Sequence, residues 1–342
     1  MDKIKIGVVG AGRLGGFHAS KIAASNDAVL AGIADPIPQN RDKLAQNYSV
    51  PAFEHPEDLL PLTDAVVIAA PSTLHFETGK FFAEHGKHIL MEKPLCTNSN
   101  DARDLLDIAE ENNIVFQAGH VEQYNPAWIS ALPHLKSIQE GEKVLVDARR
   151  TSGYTFRSTD IGVVLDLMIH DIELILSILG NDIAMIDASG FSQIGGFEDI
   201  AYAQILFQNG SVARLTASRV EQSPSRIMDI RFKEKSLQID FQSRITRCIT
   251  ADSDIQNGSF APDKVNMVQM APNISSFMND HYKIEELVND PVDALSLEMD
   301  NFCSAILRNT PSRVPGKRAA EAVEIAEEII RSIQEEEEEE DF

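Results

Sequence analysis

Three glycines near the start of the chain constrain the fold more than any other feature. The apolar run IKIGVVG at 4–10 leads directly into GAGRLGGFH, which places Gly10, Gly12 and Gly15 in G-x-G-x-x-G spacing. This spacing lets a pyrophosphate approach the backbone closely and presents the free amides of the following helix to it. A tight strand-to-helix turn without a ligand would use the same glycines. The pattern predicts the first β-α unit of an α/β fold and a candidate phosphate site.

An acidic residue at the end of the second strand supports a ligand at this turn. Asp35 ends AVLAGIAD at 28–35, 20 residues after Gly15. A carboxylate at this place can bind the adenosine ribose of a dinucleotide and would repel a 2′-phosphate. Pro36 follows it instead of an arginine that could neutralise that phosphate. We therefore predict NAD rather than NADP as the cofactor, whereas an S-adenosylmethionine site would have no use for the third glycine.

The first third of the chain alternates short apolar runs with amphipathic segments. This alternation predicts a doubly wound parallel sheet with right-handed crossovers. The predicted strands lie at 4–10, 28–35, 65–70, 87–92 and 114–119.

After about residue 120 the pattern changes to strands joined by turns, with an Asn-Gly hairpin signal in QNGS at 208–211. Such a series predicts a large, open, mostly antiparallel sheet. Its predicted strands lie at 184–194, 200–208, 211–220, 226–233 and 236–242, and helices are predicted at 163–179, 292–307 and 317–333. We expect a Rossmann domain at 1–122, a substrate and oligomerisation domain at 123–334, and a disordered acidic tail at 335–342.

Charge and cysteine content exclude several classes of protein. The formal net charge of -23 argues against a nucleic acid partner, and the run from Glu335 to Asp341 contributes seven of the negative charges. Three dispersed cysteines predict no disulfide framework, and no metal site is expected. The start shows no signal-peptide pattern and no long apolar run predicts membrane insertion, so we expect a cytoplasmic protein.

Two places offer side chains for proton transfer. Lys93 follows the apolar strand HILME, and the carboxyl ends of parallel strands are where ligands of doubly wound folds lie. Asp166 and His170 are four residues apart on one predicted helix, where a carboxylate could set the tautomer of an imidazole. A strand ending for Lys93, and a structural polar pair or a metal pair for Asp166 and His170, are the alternatives.

The chain resembles the Gfo/Idh/MocA oxidoreductases. The resemblance is carried by GAGRLGGFH, AAPSTLH, GKHILMEKPL, QAGHVEQYNPA and DLMIHDIE, in that order, and by DPVDALSLEMDNF. It implies an N-terminal Rossmann domain and a C-terminal α/β domain whose open sheet forms oligomer contacts, as a homodimer or homotetramer. It also implies nicotinamide-dependent oxidation of a hydroxyl of a sugar, cyclitol or sugar nucleotide. GHVEQYNPA and TFRSTDIGVVLDLMIHDIE are most similar to the branch of UDP-N-acetylglucosamine 3-dehydrogenases.

The resemblance implies roles for individual residues. Lys93 would be the catalytic lysine, with Asp166 and His170 as the substrate-binding and proton-transfer pair. Further cofactor contacts would come from Arg13, Leu14, Pro71, His75 and Glu92, and further substrate contacts from Tyr124, Asn125 and Arg157.

Three questions stay open at this stage. Either Lys93 or His170 could accept the hydroxyl proton. Arginines in the second half could clamp a diphosphate, the candidates being Arg149, Arg150, Arg157 and Arg219. A dehydrogenase of a free sugar or inositol, and a non-catalytic NAD-binding regulatory protein, are the alternative functions.

Overall fold

A parallel sheet forms the first third of the protein, as the alternating pattern predicts, and it has six strands where the sequence predicted five. A computed structural model describes residues 3–156, 158–233, 235–262, 274–288 and 292–340. The strand order of the first sheet is β3-β2-β1-β4-β5-β6, and all its pairs are parallel. Its strands are β1 Ile4–Val9, β2 Ala28–Ala34, β3 Ala52–Phe53, β4 Ala65–Ile68, β5 His88–Glu92 and β6 Phe116–Gly119. Its helices are α1 Arg13–Ala24, α2 Pro38–Tyr48, α3 His75–Glu84 and α4 Ser99–Glu111.

An open eight-stranded sheet forms the second half, in the order β14-β13-β12-β11-β7-β10-β9-β8. Its strands are β7 Leu145–Thr151, β8 Ile183–Phe191, β9 Ile200–Phe207, β10 Val212–Ser218, β11 Ser225–Phe232, β12 Lys235–Asp240, β13 Ile245–Ala251 and β14 Tyr282–Leu287. Only β7 and β10 pair in parallel among these described strands; the other pairs are antiparallel. The Asn209-Gly210 turn joins β9 to β10, with Gly210 at φ +80°.

The remaining α-helices follow β6 along the chain. They are α5 Pro126–Leu135, α6 Ile169–Leu179, α7 Ser253–Gln256, α8 Ile274–His281, α9 Ala294–Arg308 and α10 Gly316–Glu340. Within the described residues, no helix is long and apolar enough to cross a membrane.

The two halves share a core, because α9 packs against the Rossmann sheet. Met299, Phe302 and Cys303 of this helix are buried together with Ile6 and Ile22 of the first domain. The predicted domain boundary at residue 122 therefore assigns α9 to a different domain from the Rossmann residues against which it packs.

The last helix extends further than its sequence pattern predicts. The sequence predicted disorder from residue 335, whereas α10 continues through Glu340. Glutamate is a good helix former, so the acidic run can prolong a helix that is already anchored by buried residues such as Ile325, Ile329 and Ile333.

Candidate active site

The glycine turn after β1 is tight enough to exclude side chains. A Cβ on Gly10, which has φ +94°, would lie 2.6 Å from the Ala69 carbonyl oxygen, and one on Gly15 would lie 1.8 Å from the Gly10 carbonyl oxygen. Apart from its chain neighbours and the helix backbone, no described residue lies within 4 Å of the Cβ position of Gly12 at the N-terminus of α1. The turn therefore offers open backbone and free helix amides where the sequence predicts a pyrophosphate.

Asp35 faces this turn at the end of β2. One carboxylate oxygen accepts a hydrogen bond from the Ala11 amide at 2.7 Å, and the other accepts one from the Ile37 amide at 2.7 Å. The carboxylate is thus fixed beside the glycine loop, which suits the predicted ribose contact. The loop and Asp35 fit an NAD molecule, whose nicotinamide would extend toward the carboxyl end of β5.

Lys93 lies just beyond β5 and reaches across to the second domain. Its Nζ donates to the carbonyl oxygen of Asp166 at 2.6 Å and to the Asp166 carboxylate at 2.9 Å. Asp166 belongs to a π-helical turn, Val164–Met168, which directly precedes α6. The widened turn makes the Asp166 carbonyl available to a lysine from the other domain.

His170 lies at the start of α6 and lines the same cleft as Lys93. Burial, followed by the positive charges of Lys93 and Arg150, lowers the pKa of His170 well below its usual range. The imidazole is therefore neutral at neutral pH. Its Nδ1 is buried and has no hydrogen-bond partner within the residues that the structure describes.

The predicted coupling between Asp166 and His170 differs from what the structure shows. Both side chains line the cleft, but no hydrogen bond joins these two described residues, because Asp166 binds Lys93 instead. The π-helical turn is the physical reason, since its spacing differs from the i to i+4 spacing that stacks side chains on an α-helix.

His120 is a buried neighbour of His170 that the sequence analysis did not select. Its ring lies edge-to-face with His170, with ring centroids 5.9 Å apart, and both of its ring nitrogens are buried without a hydrogen-bond partner in the described part of the chain. Burial and the charges of Lys93 and Arg318 lower the pKa of His120 to about 3. The residue directly follows β6, so its position at a strand end was the available signal.

The cleft between the two domains has a volume of about 520 Å³. It brings together the glycine turn, Lys93, Asp166 and His170. Its lining residues are Gly12, Arg13, Leu14, Phe17, Ala69, Lys93, Val121, Glu122, Arg150, Thr151, Ser152, Thr155, Ser158, Asp166, Leu167, His170 and Arg226.

The other proposed cofactor residues lie behind this surface or at its edge. Glu92 points inward, with a carboxylate oxygen 2.6 Å from Nε2 of His18. His75 is buried, and its ring nitrogens face the carbonyl oxygens of Pro94 at 2.9 Å and Ala70 at 3.0 Å. Pro71 is exposed and precedes a short 3-10 turn. Glu92 and His75 thus support the loops around the site.

Tyr124 and Asn125, which the resemblance assigned to substrate, are buried outside the cleft lining. The Tyr124 hydroxyl donates to Asn301 at 2.7 Å, and the side chain is only 1% exposed. The Asn125 amide donates to Glu122 at 2.9 Å, while its oxygen caps α5. Both residues connect elements of the fold, and neither lines the cleft.

The three candidate diphosphate arginines that the structure describes are paired with carboxylates. Arg150 donates to Asp171 and Glu122, and Arg219 donates to Asp199. Arg149 lies 3.4 Å from Glu221 at the surface. Arg157 lies outside the described residues.

Arg226 is a cleft cation that the sequence analysis did not select. Its side chain is 51% exposed, and it lies 3.9 Å from the Glu122 carboxylate. It lines the cleft together with His170. It is therefore better placed than Arg219 to meet an anionic group that enters from solvent.

Comparison with known proteins agrees with this geometry. An oxidoreductase family model described as an NAD-binding Rossmann fold matches residues 4–120, and its companion, described as a C-terminal alpha/beta domain, matches residues 145–338. The fold and site define a two-domain, NAD-dependent oxidoreductase that acts on CH-OH groups. The chain belongs to the Gfo/Idh/MocA oxidoreductase family.

Individual relatives support the same placement. UDP-N-acetylglucosamine 3-dehydrogenase from Acidithiobacillus ferrooxidans is 34% identical over 70% of this chain and 75% of its own length. A solved structure of that dehydrogenase, GnnA, superimposes with a TM-score of 0.83 at 28% identity, covering 97% of this chain and 98% of the other. The scyllo-inositol 2-dehydrogenase (NAD(+)) of Bacillus subtilis is 27% identical over 64% of this chain and 68% of its own length.

Proposed function

We propose that the protein oxidises a ring hydroxyl of a UDP-sugar to a ketone, with UDP-N-acetylglucosamine, oxidised at C3, as the substrate. The observation that carries the reaction is the meeting of Lys93, Asp166 and His170 in one cleft beside the glycine turn. The substrate assignment rests on the similarity to UDP-N-acetylglucosamine 3-dehydrogenase over 70% of the chain.

The cofactor would be NAD, which supplies a hydride acceptor at its nicotinamide when bound. Preference for NAD over NADP is supported by Asp35, whose two oxygens are fixed by backbone amides beside the glycine turn. A 2′-phosphate there would meet a carboxylate of the same sign.

The geometry supports different roles for His170 and Lys93 in the transfer of the hydroxyl proton. His170 is neutral and lines the cleft, so its imidazole can accept the hydroxyl proton as the hydride leaves carbon. Lys93 donates from its ammonium group to the same oxygen and stabilises negative charge that develops there. Asp166 holds that ammonium group in place through its carboxylate and its carbonyl oxygen.

Arg226 would bind the diphosphate of the substrate. The net charge of -23 opposes an anionic ligand, so the attraction must come from local cations. Arg226 is half exposed, and its nearest described carboxylate contact is long, at 3.9 Å. A distant clamp of this kind binds the ground state and the transition state alike.

The test compares UDP-N-acetylglucosamine with free N-acetylglucosamine, myo-inositol and scyllo-inositol, following NADH absorbance with a 2-oxoacid present to recycle bound cofactor. We expect turnover of the UDP-sugar and competitive inhibition by UDP. Arg226→Ala should raise KM for that substrate more than it lowers kcat, whereas Arg149→Ala, at the surface and outside the cleft lining, should leave KM unchanged.

A dehydrogenase of inositol is the second candidate, favoured by the similarity to scyllo-inositol 2-dehydrogenase. Oxidation of an inositol with no inhibition by millimolar UDP would select it and reject the sugar-nucleotide assignment. Binding of NAD without turnover of any of these compounds would favour a regulatory protein.

The protein is also proposed to assemble as a homodimer or homotetramer through the outer face of its eight-stranded sheet. Apolar side chains on this face are about half exposed, among them Leu145 at 51% and Met185 at 49%. A second copy of the chain would cover them.

A further inference from the structure

A buried cluster of ionisable side chains lies beneath Lys93, outside the cleft. His18 comes from α1, Glu92 is the last residue of β5, and Glu298 comes from α9. Their ligand atoms lie within 4.8 Å of one another, and all three residues are buried. The cluster therefore joins the start of the Rossmann domain to a helix from the end of the chain.

Glu92 connects this cluster to the catalytic lysine. Its Oε1 lies 2.6 Å from Nε2 of His18, and its Oε2 accepts a hydrogen bond from the backbone amide of Lys93 at 3.3 Å. A Cβ on Gly119 would lie 3.1 Å from both the Cα and the carboxylate of Glu92, so the neighbouring strand leaves this side chain little room. The orientation of Glu92 is thus tied to the backbone position of Lys93.

Glu298 is the unexplained member of the cluster. It is 0% exposed, and neither of its carboxylate oxygens has a hydrogen-bond partner among the described residues. The buried carboxylates of Glu92 and Glu298, whose oxygens lie within 4.8 Å of each other, do not both stay ionised. Burial and mutual repulsion favour a proton on one of them. A protonated carboxyl gains a donor, and an ionised carboxylate beside it can accept that hydrogen bond.

The surroundings place that proton on Glu298. Burial, followed by the charge of Glu92, raises the pKa of Glu298 well above its usual range. Burial opposes ionisation of Glu92 as well, but the hydrogen bond and charge of His18 and the charge of Lys93 lower its pKa overall. Tyr124 also faces Glu298, and burial raises the pKa of its hydroxyl, so it adds no charge.

We propose that Glu298 is a positioning residue for the reaction: as a neutral carboxylic acid it donates a hydrogen bond to Glu92, which in turn holds the backbone of Lys93. Because Glu298 lies on α9, the docking of this helix onto the Rossmann core sets the position of the catalytic lysine. The catalytic part of this inference rests on the proposed role of Lys93, whereas the protonation of Glu298 does not.

Glu298→Gln and Glu298→Leu separate this role from simple packing. Glutamine keeps a neutral side chain with a hydrogen-bond donor, so Glu298→Gln should retain kcat within about twofold. Glu298→Leu removes the donor and should lower kcat by about tenfold or more, while Kd for NAD stays nearly unchanged because the glycine turn is untouched. Equal loss of kcat in both variants would overturn the positioning role.

The pH dependence of stability tests the protonation independently of any substrate. A carboxyl whose pKa is raised in the folded state contributes stability that is present below its unfolded pKa and is lost as the pH rises toward its folded pKa. Glutamine has no such loss, so the Tm of Glu298→Gln relative to the unsubstituted protein should rise by several degrees between about pH 5 and pH 8. Glu110→Gln, exposed on α4, is the matched control and should show no such trend.

Two results would overturn the protonated state itself. One is a Glu298→Gln protein that is destabilised equally at every pH, as expected if the carboxyl were ionised. The other is a stoichiometric divalent metal in the purified protein that disappears in Glu298→Gln, which would make the cluster a metal site. Failure of the UDP-sugar assay would leave the stability measurement and the metal analysis decisive.

Discussion

Lys93 and His170 occupy the same cleft but have different environments. The Lys93 ammonium group donates twice to Asp166, whereas the His170 imidazole is neutral and its Nδ1 has no partner among the described side chains and backbone. The sequence left both residues open as the proton acceptor. The difference in hydrogen bonding and burial now suits Lys93 to charge stabilisation and His170 to proton transfer.

Removal of the lysine charge should affect chemistry and leave cofactor binding intact. Lys93→Met should lower kcat by roughly 10² or more, since a positioned proton or charge partner contributes on that scale. Its Kd for NAD should stay within a few-fold, as measured by fluorescence titration. Normal turnover by this variant would leave Lys93 with only the strand-ending role.

The pH profile should identify His170 as the proton acceptor. Because the pKa of His170 lies well below 6.5, the unsubstituted protein should keep a flat kcat/KM between about pH 6.5 and pH 8 and lose activity only in more acidic solution. His170→Asn should lower activity and abolish that acidic limb. His55→Asn, an exposed histidine, is the control. Persistence of the limb in His170→Asn would assign the proton to another group.

Cofactor preference should depend on Asp35. The unsubstituted protein is expected to bind NAD at least about tenfold more tightly than NADP, a difference of about 1.4 kcal/mol. Asp35→Ala should remove most of that preference, because the repulsion of a 2′-phosphate is lost. Fluorescence titration with NAD and with NADP measures the two affinities. Equal affinities in the unsubstituted protein would contradict the role given to Asp35.

At the scale of secondary-structure elements, the π-helical turn before α6 determines how Asp166 is presented. The Val164 amide at its start donates to the Glu198 carboxylate at 3.1 Å, and that carboxylate lies over Gly162. A Cβ on Gly162 would come within 1.9 Å of a Glu198 oxygen. A glycine is therefore needed there for this capping contact.

Gly162→Ala should displace Glu198 and weaken the π-helical turn. Loss of one such hydrogen bond costs about 1 kcal/mol of stability, and kcat should fall because Asp166 no longer holds Lys93 in place. Gly153→Ala is the matched control, since its nearest contact would be an ordinary 3.5 Å from the Glu221 carbonyl oxygen. Thermal unfolding and kcat, measured on both variants, check the prediction; equal behaviour would contradict it.

The same elements show what a sequence can and cannot predict. Buried apolar runs such as β4 and the glycine turn have strong local patterns, so the Rossmann sheet and the position of Lys93 at the carboxyl end of β5 could be predicted. β7 was missed because LVDARRT has an exposed leucine and a buried arginine, which break the alternation of apolar and polar residues that marks a strand. It also pairs in parallel with a strand far along the chain. The π-helical turn has no periodicity signal, so the contact of Asp166 with Lys93 could not be predicted.

Contacts between residues distant in sequence also determine which of the candidate diphosphate arginines can reach a ligand. Arg219 is held by Asp199, and its guanidinium donates to the Ile161 carbonyl oxygen at 2.8 Å, which ties β10 to the loop before the π-helical turn. Arg150 is held by Asp171, which is distant in sequence. Whether an arginine is free for a ligand depends on such tertiary contacts, which a local motif does not contain.

At the scale of the whole molecule, side chains on the outer face of the eight-stranded sheet form rows that run across neighbouring strands. The register places Met185, Leu206, Val212 and Leu145 in one apolar row that crosses four neighbouring strands. The row beside it carries charges of both signs, including Asp187, Arg214 and Asp229. An apolar row flanked by mixed charges can be self-complementary about a two-fold axis.

This face is therefore expected to mediate self-association. The unsubstituted protein should sediment as a dimer or tetramer at micromolar concentration, and Leu145→Asp combined with Met185→Asp should shift it toward the monomer, because buried charges without partners oppose association. Leu62→Asp, an exposed leucine on the Rossmann domain, is the control and should keep the oligomer. A monomeric unsubstituted protein, or a double variant of unchanged mass, would contradict assembly through the sheet face.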